Sequence, residues 1–390
     1  MLRKVFLVLA AGCLLCGCGG NEEEEKGGET GEVIETGEAV DFEEEREEIY
    51  ITAVFEDGGK TYLTLDNGKL YYYDGENIEL YVDSGEESLY CFDGGFVYCA
   101  CKTQDNGKNL TIRKIGGGSD EVIYETEFED KGLWGLYAGE GKVIYSATSH
   151  YMDIYNYRIN GYSIYSMNTD GSDVKSIVNL NGEIRESELA PLMISKGYVY
   201  YVNAVSSVRH IDEDDSSTWE PAEDNGSLWK VDFEGESNEY ITSDTSLSSH
   251  EDFMNVYMYN DKIYYCLAAR DENGEFLEKY YEDARRYGPY YNLYRADTDN
   301  QNVELVYEDI FNFSMTDGLF AGEDNNIYDE DGNILFENAA EAFRMSGRAM
   351  AGRAGGYLYC NNYYDSDCIY KYDIESGEAV DIYDAIYRGR

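Results

Sequence analysis

The chain is 390 residues long and carries 79 acidic against 30 basic side chains, for a formal net charge of −49. Nucleic-acid binding depends on lysine and arginine neutralising phosphates, so this balance excludes a nucleic-acid partner and disfavours contact of the folded protein with anionic lipid. Solubility explains the acidity, with divalent-cation binding or adaptation to salt as alternatives.

Residues 1–17 form a predicted signal peptide. Arg3 and Lys4 supply its positive start, and the apolar stretch over residues 5–15 is too short to span a bilayer, which takes roughly 20 residues. The segment Leu15-Cys16-Gly17-Cys18 resembles a lipobox, which predicts Cys18 as the lipidated N-terminus of an exported chain. The alternatives are lipidation at Cys13, an ordinary secreted protein or a plain membrane anchor. In the preferred interpretation, an N-terminal lipid anchors the protein to the bacterial cell membrane, and the protein faces outward.

An acidic linker over residues 18–47 begins with the lipidated cysteine. Residues 21–48 contain 14 acidic side chains against Lys26 and Arg46, and their few large apolar residues show no period. Such a segment cannot bury enough apolar surface to offset the entropy of ordering, so it is predicted to be a disordered tether.

Residues 48–388 are predicted to form one all-β domain. The whole chain has three prolines, against 40 glycines and 40 tyrosines. Tyrosine, valine, isoleucine and phenylalanine occur in short runs separated by Gly, Asp, Asn and Ser, which is typical of strands and turns. The charged segment 275–286 has the best helical pattern, but it lies between two strand patterns and is interpreted as part of a loop.

A repeated unit organises this domain. Its first element is a Gly or Asp turn followed by an aromatic-rich strand, with copies at residues 69–73, 95–99, 141–145, 197–201, 261–265 and 356–360. Its second element is a strand, an acidic turn and a short strand, with copies starting at residues 163, 227, 292 and 368. The units fall near residues 48–83, 89–125, 133–179, 189–243, 253–308, 313–337 and 343–385. Successive units start on average about 49 residues apart, within the roughly 40–50 expected of propeller blades. Because one four-stranded meander cannot bury both of its faces, the units predict a single β-propeller of seven four-stranded blades, with six or eight as alternatives.

One unit carries a family resemblance. The segment Tyr165-Ser166-Met167-Asn168-Thr169-Asp170-Gly171-Ser172, followed by Val174-Lys175, resembles the blade signature of LDL-receptor-related-type and Tol-system-type bacterial propeller repeats. Behind a lipobox and an acidic linker, residues 60–385 resemble the propeller domains of uncharacterised bacterial lipoproteins. The resemblance implies a propeller fold and a surface location, and it supplies no catalytic residues.

No catalytic or metal-binding motif stands out. His150, His210 and His250 have no partner at metal-site or triad spacing, and the acidic residues are too numerous to choose a catalytic pair among them. The runs at residues 297–299 and 329–333 hint at calcium loops but lack the full order of such a loop, and hairpin turns explain them. No cofactor or metal is therefore predicted, with calcium as the alternative.

The cysteines suggest disulfides. Cys360 and Cys368 lie in the two strands of one predicted hairpin, which makes them the leading candidate pair in an oxidising compartment. Cys91 with Cys99 or Cys101 forms a second candidate pair. The Cys-x-Cys motif at residues 99–101 is by itself a weak metal signal.

Four insertions are the predicted binding elements. They replace the connections between second and third strands at residues 101–109, 146–161, 203–226 and 268–290, which emerge on one face of a propeller. Flat aromatic rings beside arginine suit sugar rings or an extended peptide. The alternative is that these loops pack on each other and seal the propeller. The candidate ligand-binding residues are Tyr151, Tyr155, Trp219, Arg285, Arg286, Tyr287 and Tyr290.

These features predict a membrane-tethered extracytoplasmic binding or scaffold protein for a glycan, a peptide or an envelope protein. One alternative is a hydrolase or lyase that acts on extracellular polymer from a site at the channel mouth, although the sequence favours a protein without catalysis. The other alternative is a purely structural role in envelope assembly.

Overall fold

The structure, a computed structural model, describes residues 50–388 apart from 58, 66–67, 76, 85–87, 103–108, 129–130, 153–156, 185–192, 204, 212–216, 222–226, 243–252, 282–285, 311–314, 323, 325, 338–349 and 362–368. The predicted signal peptide, Cys18 and the acidic linker lie outside these residues. In the part of the chain that is described, no helix is long and apolar enough to cross a membrane.

The strands fall into seven consecutive antiparallel sheets and two inserted hairpins. The first two sheets contain β1 (Ile51–Asp57), β2 (Lys60–Leu65), β3 (Lys69–Tyr73) and β4 (Ile78–Asp83), then β5 (Leu89–Asp93), β6 (Phe96–Lys102), β7 (Asn109–Gly116) and β8 (Ser119–Glu127). The third contains β9 (Lys131–Gly139), β10 (Lys142–Met152), β11 (Tyr157–Asn168) and β12 (Lys175–Ile184). The fourth begins with β13 (Met193–Ser195) and β14 (Tyr198–Val202), is interrupted by the hairpin of β15 (Val205–Ile211) and β16 (Ser217–Pro221), and ends with β17 (Leu228–Asp232) and β18 (Asn238–Thr242).

The remaining three sheets follow the same plan. The fifth begins with β19 (Phe253–Tyr259) and β20 (Lys262–Ala268), is interrupted by the hairpin of β21 (Glu278–Tyr281) and β22 (Arg286–Pro289), and ends with β23 (Tyr291–Asp297) and β24 (Glu304–Ile310). The sixth contains β25 (Met315–Thr316), β26 (Leu319–Ala321), β27 (Ile327–Tyr328) and β28 (Ile334–Phe336). The seventh contains β29 (Met350–Ala354), β30 (Tyr357–Asn361), β31 (Ile369–Asp373) and β32 (Ala379–Asp381), and the short helix α1 (Tyr383–Arg388) follows it.

The seven sheets are the blades of a seven-bladed β-propeller, which confirms the predicted fold and blade number. Each blade is a meander whose four strands pair in chain order. The short unit at residues 313–337 forms all four strands, although β25 and β27 are two residues long. One detail of the prediction is wrong: the segment 275–286, interpreted as loop, contains β21 and the start of the strand that pairs with it.

The core lies between the blades. Buried apolar side chains of the described residues form seven clusters, one at each contact between neighbouring blades. In β6, Tyr98 packs toward the third blade and Cys99 toward the first. In β20, Tyr264 packs toward the sixth blade and Tyr265 toward the fourth. Successive residues of a strand point to opposite faces, so a strand between two blades needs apolar residues at consecutive positions. The tyrosine-rich runs of the sequence meet this need.

Asp-Gly turns connect neighbouring blades as well as their own strands. Gly171, between β11 and β12, has a φ of 82°, and a Cβ placed on it would lie 1.8 Å from the carbonyl oxygen of Ile123 in β8. A Cβ on Gly332 would lie 2.8 Å from the carbonyl oxygen of Val306, and one on Gly235, which follows Glu234, would lie 3.1 Å from the Cα of Ile177; both contacts are with the fourth strand of the preceding blade. Both the positive φ and the lack of space therefore require glycine at these turns.

The ring closes where the first blade meets the seventh, a contact we call the closing seam. The side chain of Asn361 accepts a hydrogen bond from the backbone N–H of Ile51 and donates one to its carbonyl oxygen, both at 2.8 Å. The backbone N–H of Gly355 donates to the Glu56 carboxylate at 2.7 Å. Each blade takes its four strands from one continuous segment, so the chain does not cross this contact, and side chains hold it together.

Buried side chains complete the closing seam. The Lys371 Nζ donates to the Tyr73 hydroxyl at 2.8 Å and lies 4.1 Å from the centre of the Tyr357 ring. Tyr383 and Ile386 of α1 are buried in the cluster that joins the two blades. The short helix therefore belongs to the closure of the ring.

The predicted pairing of Cys91 with Cys99 or Cys101 is wrong. All three are free thiols, as is Cys266. Cys91 lies opposite Tyr98 in the β5–β6 ladder and faces the third blade, whereas Cys99 faces the first blade. Cys101, two residues along the same strand, shares the face of Cys99. Cys368 lies outside the described residues, so the pairing of Cys360 with Cys368 stays a prediction.

Candidate ligand-binding face

The two faces of the propeller differ in their connections. In each meander, the connections from first to second strand and from third to fourth strand emerge on one side, which we call the turn face. The connections from second to third strand emerge on the other side, the hairpin face. Every connection from first to second strand is two residues long, whereas both inserted hairpins lie on the hairpin face. The inserted hairpins, which are not strands of the seven blades, therefore lie on one side of the propeller.

Two predicted insertions join in one sheet. Strands β10 and β11 run beyond their blade, and Tyr151 pairs with Arg158 in this extension. The extended end of β12 pairs with β11, and Ile184 pairs on its other side with Val205 of β15. We call the resulting five-stranded extension, residues 149–152, 157–161, 181–184, 205–211 and 217–221, the wing. An insertion of the fourth blade therefore extends the sheet of the third blade.

Hydrogen bonds fix the wing where it leaves the propeller. The Trp134 indole N–H donates to the hydroxyl of Thr148 at 2.7 Å, and Thr148 is fully buried at the base of the extended β10. At the base of the β15–β16 hairpin, the backbone N–H of Asn203 donates to the carbonyl oxygen of Ser227 at 2.8 Å. The Trp229 indole N–H donates to the Ser227 hydroxyl at 2.8 Å. The two roots are thus held by buried polar groups that have partners.

The β21–β22 hairpin has its own root. The backbone N–H of Ala269 donates to the carbonyl oxygen of Tyr290 at 2.8 Å, the N–H of Leu277 donates to Ala269 at 2.8 Å, and the N–H of Tyr290 donates to Leu277 at 3.2 Å. These bonds bring both ends of the hairpin against the end of β20. The hairpin is therefore attached through backbone on both sides.

The structure separates the predicted ligand-binding residues into two groups. Tyr151 and Trp219 lie in strands of the wing. Arg286 and Tyr287 lie in β22, and half-buried Tyr290 follows at the root of that hairpin. Tyr155 and Arg285 lie outside the described residues.

Sequence reasoning missed one aromatic–cation pair on this face. The guanidinium carbon of Arg270 lies 3.8 Å from the centre of the Phe276 ring, and its Nη1 donates to the carbonyl oxygen of Gly274 at 2.7 Å. The turn between them is held by Asp271, whose pKa is lowered by hydrogen bonds from the backbone N–H of Glu275 and from Asn273. The signal in the sequence was the Asp-x-Asn-Gly order of residues 271–274, which is typical of a tight turn.

No protein-family model matches the chain. No curated protein matches it either. Among solved structures, the β-propeller domain of the trilobed protease from Pyrococcus furiosus is 12% identical over 86% of this chain and 98% of that chain, with a TM-score of 0.46. BamB from Moraxella catarrhalis is 10% identical over 84% and 86% of the two chains, with a TM-score of 0.40. TolB from Agrobacterium tumefaciens is 17% identical over 67% and 81%, with a TM-score of 0.37. The propeller assignment rests on the strand topology of the chain itself.

The two runs that hinted at calcium loops are turns between strands. The Asp297 carboxylate contacts Lys262 Nζ and accepts a hydrogen bond from the Asn302 amide at 2.6 Å. The Asp329 carboxylate accepts hydrogen bonds from the backbone N–H groups of Asp331 and Asn333 at 3.0 and 2.8 Å. Within the described residues, no group of three or more His, Cys, Asp or Glu side chains is placed to hold a metal ion.

Proposed function

We propose that the chain is a membrane-tethered extracytoplasmic binding or scaffold protein that presents its hairpin face to a glycan, a peptide or an envelope protein. The observation that carries this proposal is the one-sided placement of the wing and the β21–β22 hairpin. Ordering extra residues costs conformational entropy and adds nothing to the closure of the ring. Loops held on a rigid scaffold are where proteins usually place binding residues.

The form of the insertions supports the same proposal. The wing and the hairpin are strand-paired and anchored at their roots, so their conformation exists before a ligand arrives. Pre-organised elements lose less entropy on binding than mobile loops. The Arg270–Phe276 pair, next to the root of the hairpin, places aromatic area beside positive charge, which suits sugar rings or extended peptide.

The binding proposal is tested with the full-length protein in detergent micelles on glycan and peptide arrays. Replacing Trp219, Tyr287 and Tyr290 together by Ala is expected to lower capture at least 10-fold. The melting temperature is expected to change little, because the root of the β21–β22 hairpin is held by backbone hydrogen bonds that these substitutions leave in place. The matched control is Tyr81→Ala, since Tyr81 is a 41% exposed tyrosine on β4 outside the hairpin face. Unchanged capture by the triple variant contradicts the proposal, as does equal loss in the control.

The membrane attachment is tested separately. Cys18→Ser is expected to abolish incorporation of a metabolic acyl label and to release the protein from the membrane, because stable anchoring requires two or more acyl chains. Cys13→Ser is the matched control and is expected to retain both label and location. Label that persists in Cys18→Ser shows that the anchor is elsewhere.

A further inference from the structure

Five aromatic side chains lie together where the first blade meets the second. They are Phe55 of β1, Tyr62 of β2, Tyr72 of β3, Tyr81 of β4 and Phe92 of β5, and we call them the aromatic cluster. The ring centre of Tyr62 lies 5.8 Å from that of Tyr72, 5.4 Å from that of Tyr81 and 4.8 Å from that of Phe92. Phe92 in turn lies 4.7 Å from Phe55. Phe55, Tyr72 and Phe92 are each within two residues of a strand end on the turn face, so the cluster lies away from the hairpin face.

The cluster has a buried side and an exposed side. Tyr62 retains 7% of its surface, whereas Tyr81 retains 41%. The pairing of β3 with β4 shifts between Leu70 and Tyr71, which leaves Tyr81 as the additional residue of a β-bulge. A bulge re-aims a side chain, and here the Tyr81 ring lies against Tyr62, two strands away. The cluster therefore has a buried floor, Tyr62, and an exposed wall, Tyr81.

The charges around the cluster favour a cation. The Nζ of Lys60, an exposed residue at the start of β2, lies 5.2 Å from the centre of the Tyr72 ring. The face of an aromatic ring attracts positive charge, so the cluster already stabilises a cation of its own chain. Burial raises the pKa of the Tyr62 hydroxyl, and the neighbouring Tyr81 and Asp57 raise it further. A carboxylate therefore acts on the floor of the cluster, in a molecule whose net charge of −49 attracts cations from solution.

We propose that the aromatic cluster binds a methylated ammonium group, such as the one that choline carries. The rings of Tyr72, Tyr81 and Phe92 are inclined to the Tyr62 ring by 47°, 68° and 43°. A sugar stacks on one flat ring, whereas rings inclined to one another contact a compact group from several sides, as in the aromatic cages that recognise quaternary ammonium. The ligand takes the position of the Lys60 ammonium over Tyr72, so Lys60 competes with it. This site goes beyond the binding proposed for the hairpin face and does not depend on it.

The test titrates the full-length protein, in a detergent that carries no ammonium group, with choline in an isothermal calorimeter. The comparison compound is dimethylbutanol, which has the shape of choline without its charge. Choline is expected to bind at least about 10-fold more tightly, because the ring faces and Asp57 act on its charge. Absence of choline binding overturns the proposal. Equal affinity for the two compounds also overturns it, since the cluster would then recognise apolar surface alone.

Matched variants locate the site. Tyr81→Leu keeps apolar contact but loses the ring and is expected to weaken choline binding at least about 10-fold, whereas Tyr81→Phe keeps the ring and the affinity. Lys60→Met removes the competing cation and is expected to tighten binding. The variant with Trp219, Tyr287 and Tyr290 replaced by Ala is expected to bind choline as the unaltered protein does. Unchanged affinity in folded Tyr81→Leu, weaker binding in Lys60→Met, or loss of choline binding in the triple variant overturns the proposal.

Discussion

Gly171 and Gly141 both adopt left-handed backbone conformations, with φ values of 82° and 78°. Their surroundings differ. A Cβ on Gly171 would collide with the backbone of Ile123 in the preceding blade, whereas a Cβ on Gly141 would meet nothing within 4 Å. The pair therefore separates the cost of the backbone conformation from the cost of the contact between blades.

Gly141→Ala is expected to lower the free energy of unfolding by about 1 kcal/mol, the usual cost of a left-handed conformation. Gly171→Ala is expected to lower it by roughly 3 kcal/mol or more, because the second and third blades must also move apart. Urea denaturation followed by tyrosine and tryptophan fluorescence measures both changes. Equal losses in the two variants would falsify the role assigned to the contact.

Part of this residue-scale detail was available from the sequence. The Asp170-Gly171 pair between two strands is by itself a local sign of positive φ, but the contact of Gly171 with Ile123 depends on how two blades pack and has no local signal. The wrong pairing of Cys91 with Cys99 or Cys101, in contrast, could have been recognised from a local signal. The two-residue turn at Gly94 and Gly95 places Cys91 opposite Tyr98, and this register puts Cys91 and Cys99 on different faces of the sheet.

Among the strands, β20 and β23 are joined by an ion pair as well as by their backbone hydrogen bonds. Asp297, the last residue of β23, pairs with Lys262 at the start of β20. The contact with Lys262 and the hydrogen bond from Asn302 lower the pKa of Asp297. A carboxyl whose pKa is lower in the folded than in the unfolded protein stabilises the fold above its ordinary pKa. That contribution is lost as the pH falls through the folded value.

Asp297→Asn is therefore expected to lower the melting temperature at pH 7 and to have little effect near pH 2. The difference at pH 7 is expected to shrink in high salt, because the pair is partly exposed to solvent and is screened. Asp299→Asn, in the same turn, is the control, because the asparagine oxygen still accepts the 3.3 Å bond from the backbone N–H of Gln301. A difference that is constant from pH 2 to pH 7 contradicts the ionic contribution.

Local sequence predicted most elements because each blade is built from neighbouring strands joined by short turns. The predicted unit 89–125 corresponds to β5 through β8, which end at Glu127. The wing could not be predicted in this way. Its pairing of Ile184 with Val205 joins strands of two different blades, and no local sequence pattern indicates that contact. The candidate site was predicted as four insertions on one face, and the joining of two of them into one sheet came from the structure.

At the scale of the whole molecule, the closing seam depends on Asn361. This side chain satisfies the buried N–H and carbonyl oxygen of Ile51 at once. The seam is the one contact between blades that no strand connection crosses, so lost side-chain bonds there are not compensated by the chain. A buried polar group left without a partner costs about 1–3 kcal/mol.

Asn361→Ala is expected to lower the free energy of unfolding by at least about 2 kcal/mol, since two such groups lose their partner. It is also expected to speed hydrogen exchange at the amide of Ile51 before the other blades are affected. Asn77→Ala serves as control, because Asn77 makes an exposed side-chain bond to Asp74 within one turn. Exchange that stays slow at Ile51 would show that the apolar cluster closes the ring without the asparagine.

The closing seam also determines how the molecule responds to mechanical force. Ile51 opens the first strand, next to the segment proposed as the tether, so a load carried by that tether enters the ring at the contact that Asn361 holds. If the molecule is lipid-anchored, a partner that pulls on the hairpin face applies force at one point and the tether resists it at the other. Six contacts between blades are backed by covalent chain, and the seventh is not. The seam is therefore where such a ring yields first, and its strength limits the tension that one tethered molecule can transmit.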